Sequence, residues 1–229
     1  MDSSTIHSAN ITIHVICGSI ALLLGIIVLV TQKGKRVHKK IGRLFLWFLT
    51  IVVLTGLLGA IVFRGNSYLL VLTVLSGYNG FSGFRVIKTK CNTPKLLDIT
   101  VALLSLSIGL YFLDYIKSKE LFWNPIVVYS TFVALFLVVS YDLIRYLIPS
   151  ISYKNLWLYE HIYKMINAFT ALLAAAVGTV LPNYQPYSQL LPSVFGTLLV
   201  VGFILYFFRI RNAVRPNTQK IPENQGLTK

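Results

Sequence analysis

Seven apolar stretches of similar length dominate the chain, and shorter polar stretches separate them. Each is close to the ~20 residues that an α-helix needs to cross a hydrocarbon core of about 30 Å. Backbone polar groups must be satisfied within the segment where water is absent, so each stretch predicts a transmembrane helix. The pattern therefore predicts an all-α membrane protein with a bundle of seven transmembrane helices. The stretches are Ile11–Thr31, Ile41–Phe63, Tyr68–Ile87, Leu96–Ile116, Pro125–Ile148, Trp157–Val180 and Leu190–Ile210.

Lysine and arginine are distributed unequally between the two sets of connections. With the N-terminus outside, the inner loops and the C-terminal tail hold eighteen of these residues, and the outer loops hold three. Short cytoplasmic loops carry the excess of positive charge in membrane proteins. We therefore predict that the N-terminus is outside and the C-terminus is cytoplasmic. The chain then divides into an outer segment at 1–10, a transmembrane domain at 11–211 and a disordered cytoplasmic tail at 212–229.

The composition agrees with a membrane protein and argues against a nucleic-acid-binding protein. The chain is 55% hydrophobic and 12% charged, whereas soluble domains carry about 25% charged residues. The net charge of +14 resides between apolar stretches, and no nucleic-acid-binding motif accompanies it. We therefore expect the lipid bilayer as partner, with anionic lipid headgroups at the cytoplasmic face and no nucleic acid. Cys17 and Cys91 fall in a span and in an inner loop, so no disulfide is expected.

Ionisable residues inside a span are costly and are functional-site candidates by default. Near the outer face these are His14 and Asp114, and His7 lies on the same helical face as His14. Cys17 follows His14 by three residues, a spacing that offers two ligands to a soft metal. The alternative is a packed cysteine and a histidine that is hydrogen-bonded to a neighbouring helix.

A larger polar group gathers at the inner ends of the predicted helices. Asp142 and Arg145 are three residues apart, so they can pair on the surface of their own helix. His161 follows Glu160, and a histidine beside a carboxylate can relay protons or bind metal near neutral pH; the alternative is an interfacial side chain. The loop Lys33–Arg43, which we call the basic loop, holds six lysines and arginines and also His38. We predict that helices five and six bring Asp142 and His161 near this loop. The group comprises His38, Arg43, Arg85, Asp98, Asp142, Arg145, Glu160 and His161.

The positions of the histidines restrict the possible cofactors. His14 and His161 lie near opposite faces, roughly 20 Å apart at ~1.5 Å per residue, so they cannot bind one haem. Met165 is on the same helix as His161, so these two residues cannot bind one iron from opposite sides. A bis-histidine haem is therefore disfavoured, although His38 and His161 are able to share an inner site. A single metal, with His14, His38 or His161 as ligand, or a quinone contact stays open.

Several short motifs resemble those of one family. The run from Glu160 to Ala171 is similar to a His-x-x-(basic)-Met…Ala-Thr-Ala pattern, and 191–197 to Leu-Pro-Thr-x-x-Gly-Thr. The opening at 14–18 resembles His-x-x-x-Gly, and 33–43 resembles Lys-Gly-x-x-x-His-Arg-x-x-Gly-Arg, with Lys39 in place of arginine. The segment from Gly77 to Arg85 is similar to a Gly-Tyr-Arg element with different spacing. Together they resemble domain-of-unknown-function family 2306, small multi-pass bacterial membrane proteins, which implies location in the bacterial cytoplasmic (inner) membrane but no chemistry.

Three classes of function stay open, and no residue is assigned a catalytic role. The first is a small redox- or metal-linked membrane protein that uses histidines near the membrane faces. The second is a proton-coupled transporter, although nothing charged is expected near the midplane, where transporters usually bind their substrates. The third is a non-catalytic membrane module, such as a sensor or an assembly partner.

Overall fold

Every regular element in the described part of the chain is a helix. The computed structural model describes residues 3–63, 67–93, 95–117, 124–149, 153 and 156–214. Two short 3-10 turns, Arg145–Leu147 and Pro182–Tyr184, accompany the long helices. The long helices are α1 (Ser3–Val30), α2 (Arg36–Ile61), α3 (Ser67–Thr89), α4 (Leu96–Lys117), α5 (Pro125–Ile144), α6 (Leu156–Val180) and α7 (Tyr187–Val214).

The seven helices and the absence of strands among these residues confirm the prediction of an all-α fold. All except α3 are long and apolar enough to cross a membrane. Large apolar side chains also cover the outside of the bundle; Trp47 and Leu137, for example, are 70% and 64% exposed. An exposed apolar surface of this extent is typical of a protein surrounded by lipid. The chain therefore has the character of a multi-pass membrane protein.

Helix α3 is less apolar than the other helices, and its neighbours cover it. It contacts α2, α4, α5 and α6, and the polar residues Ser76, Asn79 and Ser82 on it are buried. The hydroxyl of Ser76 donates a 2.7 Å hydrogen bond to the carbonyl of Ala168 on α6. A helix enclosed by protein can carry such groups because other helices, rather than lipid, satisfy them.

Glycines allow the helices to approach closely around two apolar cores. One core joins α3, α4 and α5 around Phe132, and the other joins α1, α2 and α6 around Phe169. A Cβ added at Gly25 on α1 would lie 2.3 Å from the Phe169 ring, and one at Gly80 on α3 would lie 2.6 Å from Leu49. Small residues at such crossings permit the van der Waals packing that holds helices together in lipid.

Several helix ends differ from the predicted stretches. Helix α2 begins at Arg36 rather than at Ile41, so His38, which was predicted to lie in the basic loop, lies on a helix. Helix α1 begins at Ser3 rather than at Ile11, so most of the predicted outer segment is helical. Helix α7 continues to Val214, into the predicted tail. The rest of that tail lies outside the described residues.

Candidate functional site

A cavity of about 710 Å³ lies among α1, α2, α3, α6 and α7, beside the basic loop that joins α1 to α2. We call it the histidine cavity, because His38 on α2 and His161 on α6 both line it. Most of its wall is apolar and aromatic. The wall includes Phe45, Phe84, Trp157, Met165, Phe169 and Phe203.

His161 is held by a backbone carbonyl of a neighbouring helix. Its Nδ1 lies 3.1 Å from the carbonyl oxygen of Gly83 on α3. A carbonyl oxygen only accepts hydrogen bonds, so Nδ1 carries the proton and Nε2 keeps a free lone pair. The close approach favours glycine, because a Cβ at position 83 would lie 3.0 Å from Cβ of Lys164 and 3.2 Å from Sδ of Met165. The packing of α3 against α6 thus sets the tautomer of His161.

His38 is the second histidine of the cavity. It is the third residue of α2, and its side chain is half-buried. Its Nδ1 is buried and makes no hydrogen bond within the described residues. A buried ring nitrogen without a partner is costly. Because Nδ1 has almost no accessible surface, Nε2 is the ring nitrogen of His38 that is left to meet a ligand.

Four cationic side chains line the cavity near the basic loop: Lys33, Lys39, Arg43 and Lys90. The Lys33 ammonium donates to the carbonyls of Val28, Leu29 and Thr31 at the end of α1, at 3.0, 2.5 and 3.1 Å. Burial lowers the pKa of Lys33 from its ordinary value.

Two of the other cations also make contacts with the protein. Arg43 Nε lies 3.4 Å from the carbonyl oxygen of Lys39, and the Lys90 ammonium lies 5.0 Å from the centre of the Trp157 ring. The histidine cavity therefore joins an apolar interior to a positively charged end, an arrangement that favours a molecule with an apolar body and an acidic group.

A second polar site, which we call the ion network, lies between α5 and α6. It contains Asp142, Arg145, Glu160 and Lys164, all buried, with Lys164 completely so. Lys164 Nζ lies 2.5 Å from Oδ1 of Asp142 and 3.8 Å from Oε2 of Glu160. Arg145 NH1 contacts Glu160, and Arg145 Nε lies 3.6 Å from Asp142. Two carboxylates and two cations give the ion network a formal charge of zero.

Three tyrosines complete the ion network by donating to its carboxylates. Tyr78 OH donates to Asp142 at 2.7 Å, and Tyr141 and Tyr153 donate to Glu160 at 2.6 and 3.0 Å. Burial is the main cause that raises the pKa of Tyr153, and the negative charge of Glu160 raises it further, so this hydroxyl keeps its proton. The bonds from Tyr78 and Tyr141 go to Oδ2 of Asp142 and Oε1 of Glu160, carboxylate oxygens that the two cations do not contact. Without these bonds, both oxygens would be buried without a partner among the described residues.

The inner group predicted from the sequence therefore separates into distinct sites. His38, His161 and Arg43 line the histidine cavity, whereas Asp142 and Glu160 belong to the ion network. Glu160 and His161 are adjacent in sequence, but successive residues of a helix point about 100° apart. The hydrogen bond of His161 is to a backbone carbonyl rather than to Glu160. His161 shares its cavity with Gly34 of the basic loop, whereas Asp142 does not line that cavity.

Arg85 and Asp98 form a third inner contact, which joins α3 to α4. Arg85 donates two hydrogen bonds to the Asp98 carboxylate, at 2.7 and 2.9 Å. The predicted pairing of Asp142 with Arg145 is present, but both also bind residues of α6.

Lys164 is one of the eighteen cations that the sequence count assigned to the inner loops and tail. It lies instead inside α6 and is fully buried. Its spacing of four residues from Glu160 was the available signal, because such a pair shares one helical face. The tyrosines carried no comparable signal. Removing Lys164, Arg145 and Arg85 from the eighteen inner cations still leaves a large excess over the three outer ones.

The two outer candidates are not brought together. His14 Nδ1 lies 2.9 Å from Oγ1 of Thr55 on α2, whereas Asp114 is exposed on α4. Helix α4 packs against α3 and α5, and α1 packs against α2 and α6. His14 is therefore hydrogen-bonded to a neighbouring helix, which is the alternative to metal binding that the sequence analysis gave for it. Cys17 packs in the apolar core of α1, α2 and α6.

Among the residues that the structure describes, no three His, Cys, Asp or Glu side chains gather closely enough to hold a metal ion. His38 and His161 are thus two candidate ligands without a third from the described protein. No family model, curated protein or solved structure matches the chain.

Proposed function

We propose that the protein spans the bacterial cytoplasmic membrane seven times and binds an amphiphilic small molecule in the histidine cavity. The ligand class has an apolar body and an acidic group. The observation that carries this proposal is the cavity itself, because an apolar volume of about 710 Å³ adjoins four cations. Pockets for small ligands have volumes of about 300–1,000 Å³ and a few well-placed polar groups.

The proposed orientation has the N-terminus outside and the C-terminus in the cytoplasm. Support comes from the excess of lysine and arginine on one side and from the apolar surface of the helices. Helix α3 would be the seventh span, enclosed by its neighbours. The cationic mouth of the cavity would then meet the inner leaflet, whose anionic headgroups attract nearby positive charges by about 1 kcal/mol each. The motif resemblance to domain-of-unknown-function family 2306 agrees with this location.

Labelling of introduced cysteines tests the orientation. In a background without Cys17 and Cys91, a membrane-impermeant maleimide added to spheroplasts should label Lys117→Cys and should not label Lys35→Cys. Both should react once the membrane is permeabilised. Labelling of Lys35→Cys from outside would refute the proposed orientation and would move the cavity to the other leaflet.

Filling the cavity tests ligand binding. Gly42 lines it, and a Cβ at this position would meet nothing within 4 Å, so Gly42→Phe can extend into the cavity without a clash at its Cβ. Gly202 on α7 has equally open space and does not line the cavity, so Gly202→Phe is the matched control.

The expected result concerns the molecules that remain bound after purification in mild detergent. Native mass spectrometry should find a small-molecule adduct on the wild type and on Gly202→Phe, and should find it reduced at least tenfold on Gly42→Phe. The same adduct on all three proteins, or no adduct on any, would refute the proposal. Size-exclusion profiles check that both variants are folded.

A further inference from the structure

Two imidazoles, those of His38 and His161, line the histidine cavity in the part of the chain that the structure describes. A structural zinc site uses four protein ligands, and a catalytic zinc site uses three with an open position. Among the described residues no three His, Cys, Asp or Glu side chains cluster, so His38 and His161 alone would hold a bare ion poorly. Two imidazoles suffice, however, for a metal whose other four coordination positions are already filled by a macrocycle.

We propose that the ligand of the histidine cavity is haem, bound through its iron by His38 and His161. This inference rests on the proposed function, because it names the molecule that occupies the same cavity. It goes further than that proposal, since it assigns a metal and two axial ligands. The sequence alone disfavoured haem because His14 and His161 are too far apart to bind one iron. That argument does not apply to His38 and His161, because both line the same cavity.

The two histidines reach the same cavity from two different helices. His38 is the third residue of α2, and His161 is the sixth residue of α6. Each therefore lies within the first two turns of its helix. A bis-histidine site needs its two ligands on different helices around one cavity, and this pair meets that requirement.

His161 has the hydrogen bonding that is typical of a metal-binding histidine. Histidine ligands usually donate the other ring N–H to a carbonyl or carboxylate, which orients the ring and raises its basicity. The bond from Nδ1 of His161 to the Gly83 carbonyl does this and leaves the Nε2 lone pair available. In His38, Nδ1 is buried away from the cavity, so Nε2 would be the iron ligand of this residue as well.

The walls and the mouth of the cavity suit the two parts of a haem. Phe84, Phe169 and Phe203 provide aromatic surface for the apolar macrocycle. The macrocycle also carries two propionates, which need cations or water. Lys39 and Arg43 line the cavity near the loop and are exposed, so they are free to turn toward carboxylates. Arginine binds a carboxylate through two parallel hydrogen bonds, which favours a fixed orientation of the ligand.

Absorbance spectroscopy of the purified full chain tests this inference. The protein is expressed with added iron and 5-aminolevulinic acid, purified in mild detergent, and assayed by pyridine haemochrome for haem content. Wild type should contain about one haem per chain and give the spectrum of a six-coordinate, low-spin b-type haem. His38→Ala and His161→Ala should each lose at least nine-tenths of it. His14→Ala, a histidine hydrogen-bonded outside the cavity, should retain it.

A conservative variant separates ligation from folding. Methionine can replace histidine as an axial ligand and raises the reduction potential of the haem. His161→Met should therefore keep haem, change its spectrum and raise its midpoint potential if His161 binds iron. An unchanged spectrum and potential in that variant would overturn the assignment of His161.

The experiment also separates this inference from the proposed function. Colourless wild-type protein that does not bind added hemin, yet loses a different adduct in Gly42→Phe, would overturn haem and leave the amphiphile-binding proposal intact. Absence of both haem and any adduct would overturn both proposals. Haem content that is equal in wild type, His38→Ala and His161→Ala would show binding elsewhere and would overturn the site.

Discussion

Replacing Lys164 by methionine should destabilise the fold through the ion network. Lysine and methionine have similar length, so the substitution removes the charge while keeping most of the packing over Gly83. Lys164 is fully buried and lies 2.5 Å from Asp142. Without it, two buried carboxylates face the single cation of Arg145, and the formal charge of the ion network becomes −1.

The magnitude follows from the contacts that remain. Removing one partner of a buried ion pair costs about 3–5 kcal/mol, because the other charge stays buried without compensation. Asp142 keeps the hydrogen bond from Tyr78 and the 3.6 Å contact with Arg145. These contacts compensate part of the loss, so we expect Lys164→Met to lower the free energy of unfolding by about 3 kcal/mol. Adding Asp142→Asn restores a neutral network and should recover most of that loss.

Reversible unfolding in mixed detergent micelles, followed by circular dichroism, measures these differences. Lys40→Met is the matched control, because Lys40 is exposed on α2, and most surface substitutions change stability by less than about 0.5 kcal/mol. A Lys164→Met variant within 1 kcal/mol of wild type, on the scale of surface changes, would refute the argument. So would a double variant that is no more stable than Lys164→Met.

Three further predictions concern the connections and the helix contact at position 83. Hydrogen bonds from the hydroxyl and backbone N–H of Thr93 hold the pKa of the Cys91 thiol below its ordinary value, so Thr93→Val should shift the pH profile of Cys91 alkylation to higher pH; an unchanged profile would contradict this. Asn92 donates to two carbonyls of the α5–α6 connection at 2.5 and 2.9 Å, and Asn92→Ala should cost about 1–3 kcal/mol of unfolding free energy, measured in the same micelles. Gly83→Ala should weaken ligand retention in the histidine cavity, because its Cβ would lie 3.0 Å from Lys164; retention equal to wild type in native mass spectrometry would contradict it.

Local patterns were sufficient to predict the helices. Hydropathy averaged over about 20 residues depends only on neighbours in sequence, and it predicted seven helices that the structure contains. Even α3 was found in this way, although its buried Asn79 and Ser82 make it less apolar than the rest. The pairing of Asp142 with Arg145 was also local, because three residues bring two side chains onto one face of a helix.

The contacts between helices could not be obtained in this way. Whether Glu160 or His161 faces the histidine cavity depends on how α6 is rotated against its neighbours, since one residue turns the face by about 100°. That rotation follows from the close packing of α3 against α6 at Gly83. It directs Glu160 and Lys164 into the ion network and His161 toward His38. The order of residues along the chain thus determined the helices and their apolar character, because both depend on neighbours in sequence. Only the packing of side chains between helices decided which partner each polar group has.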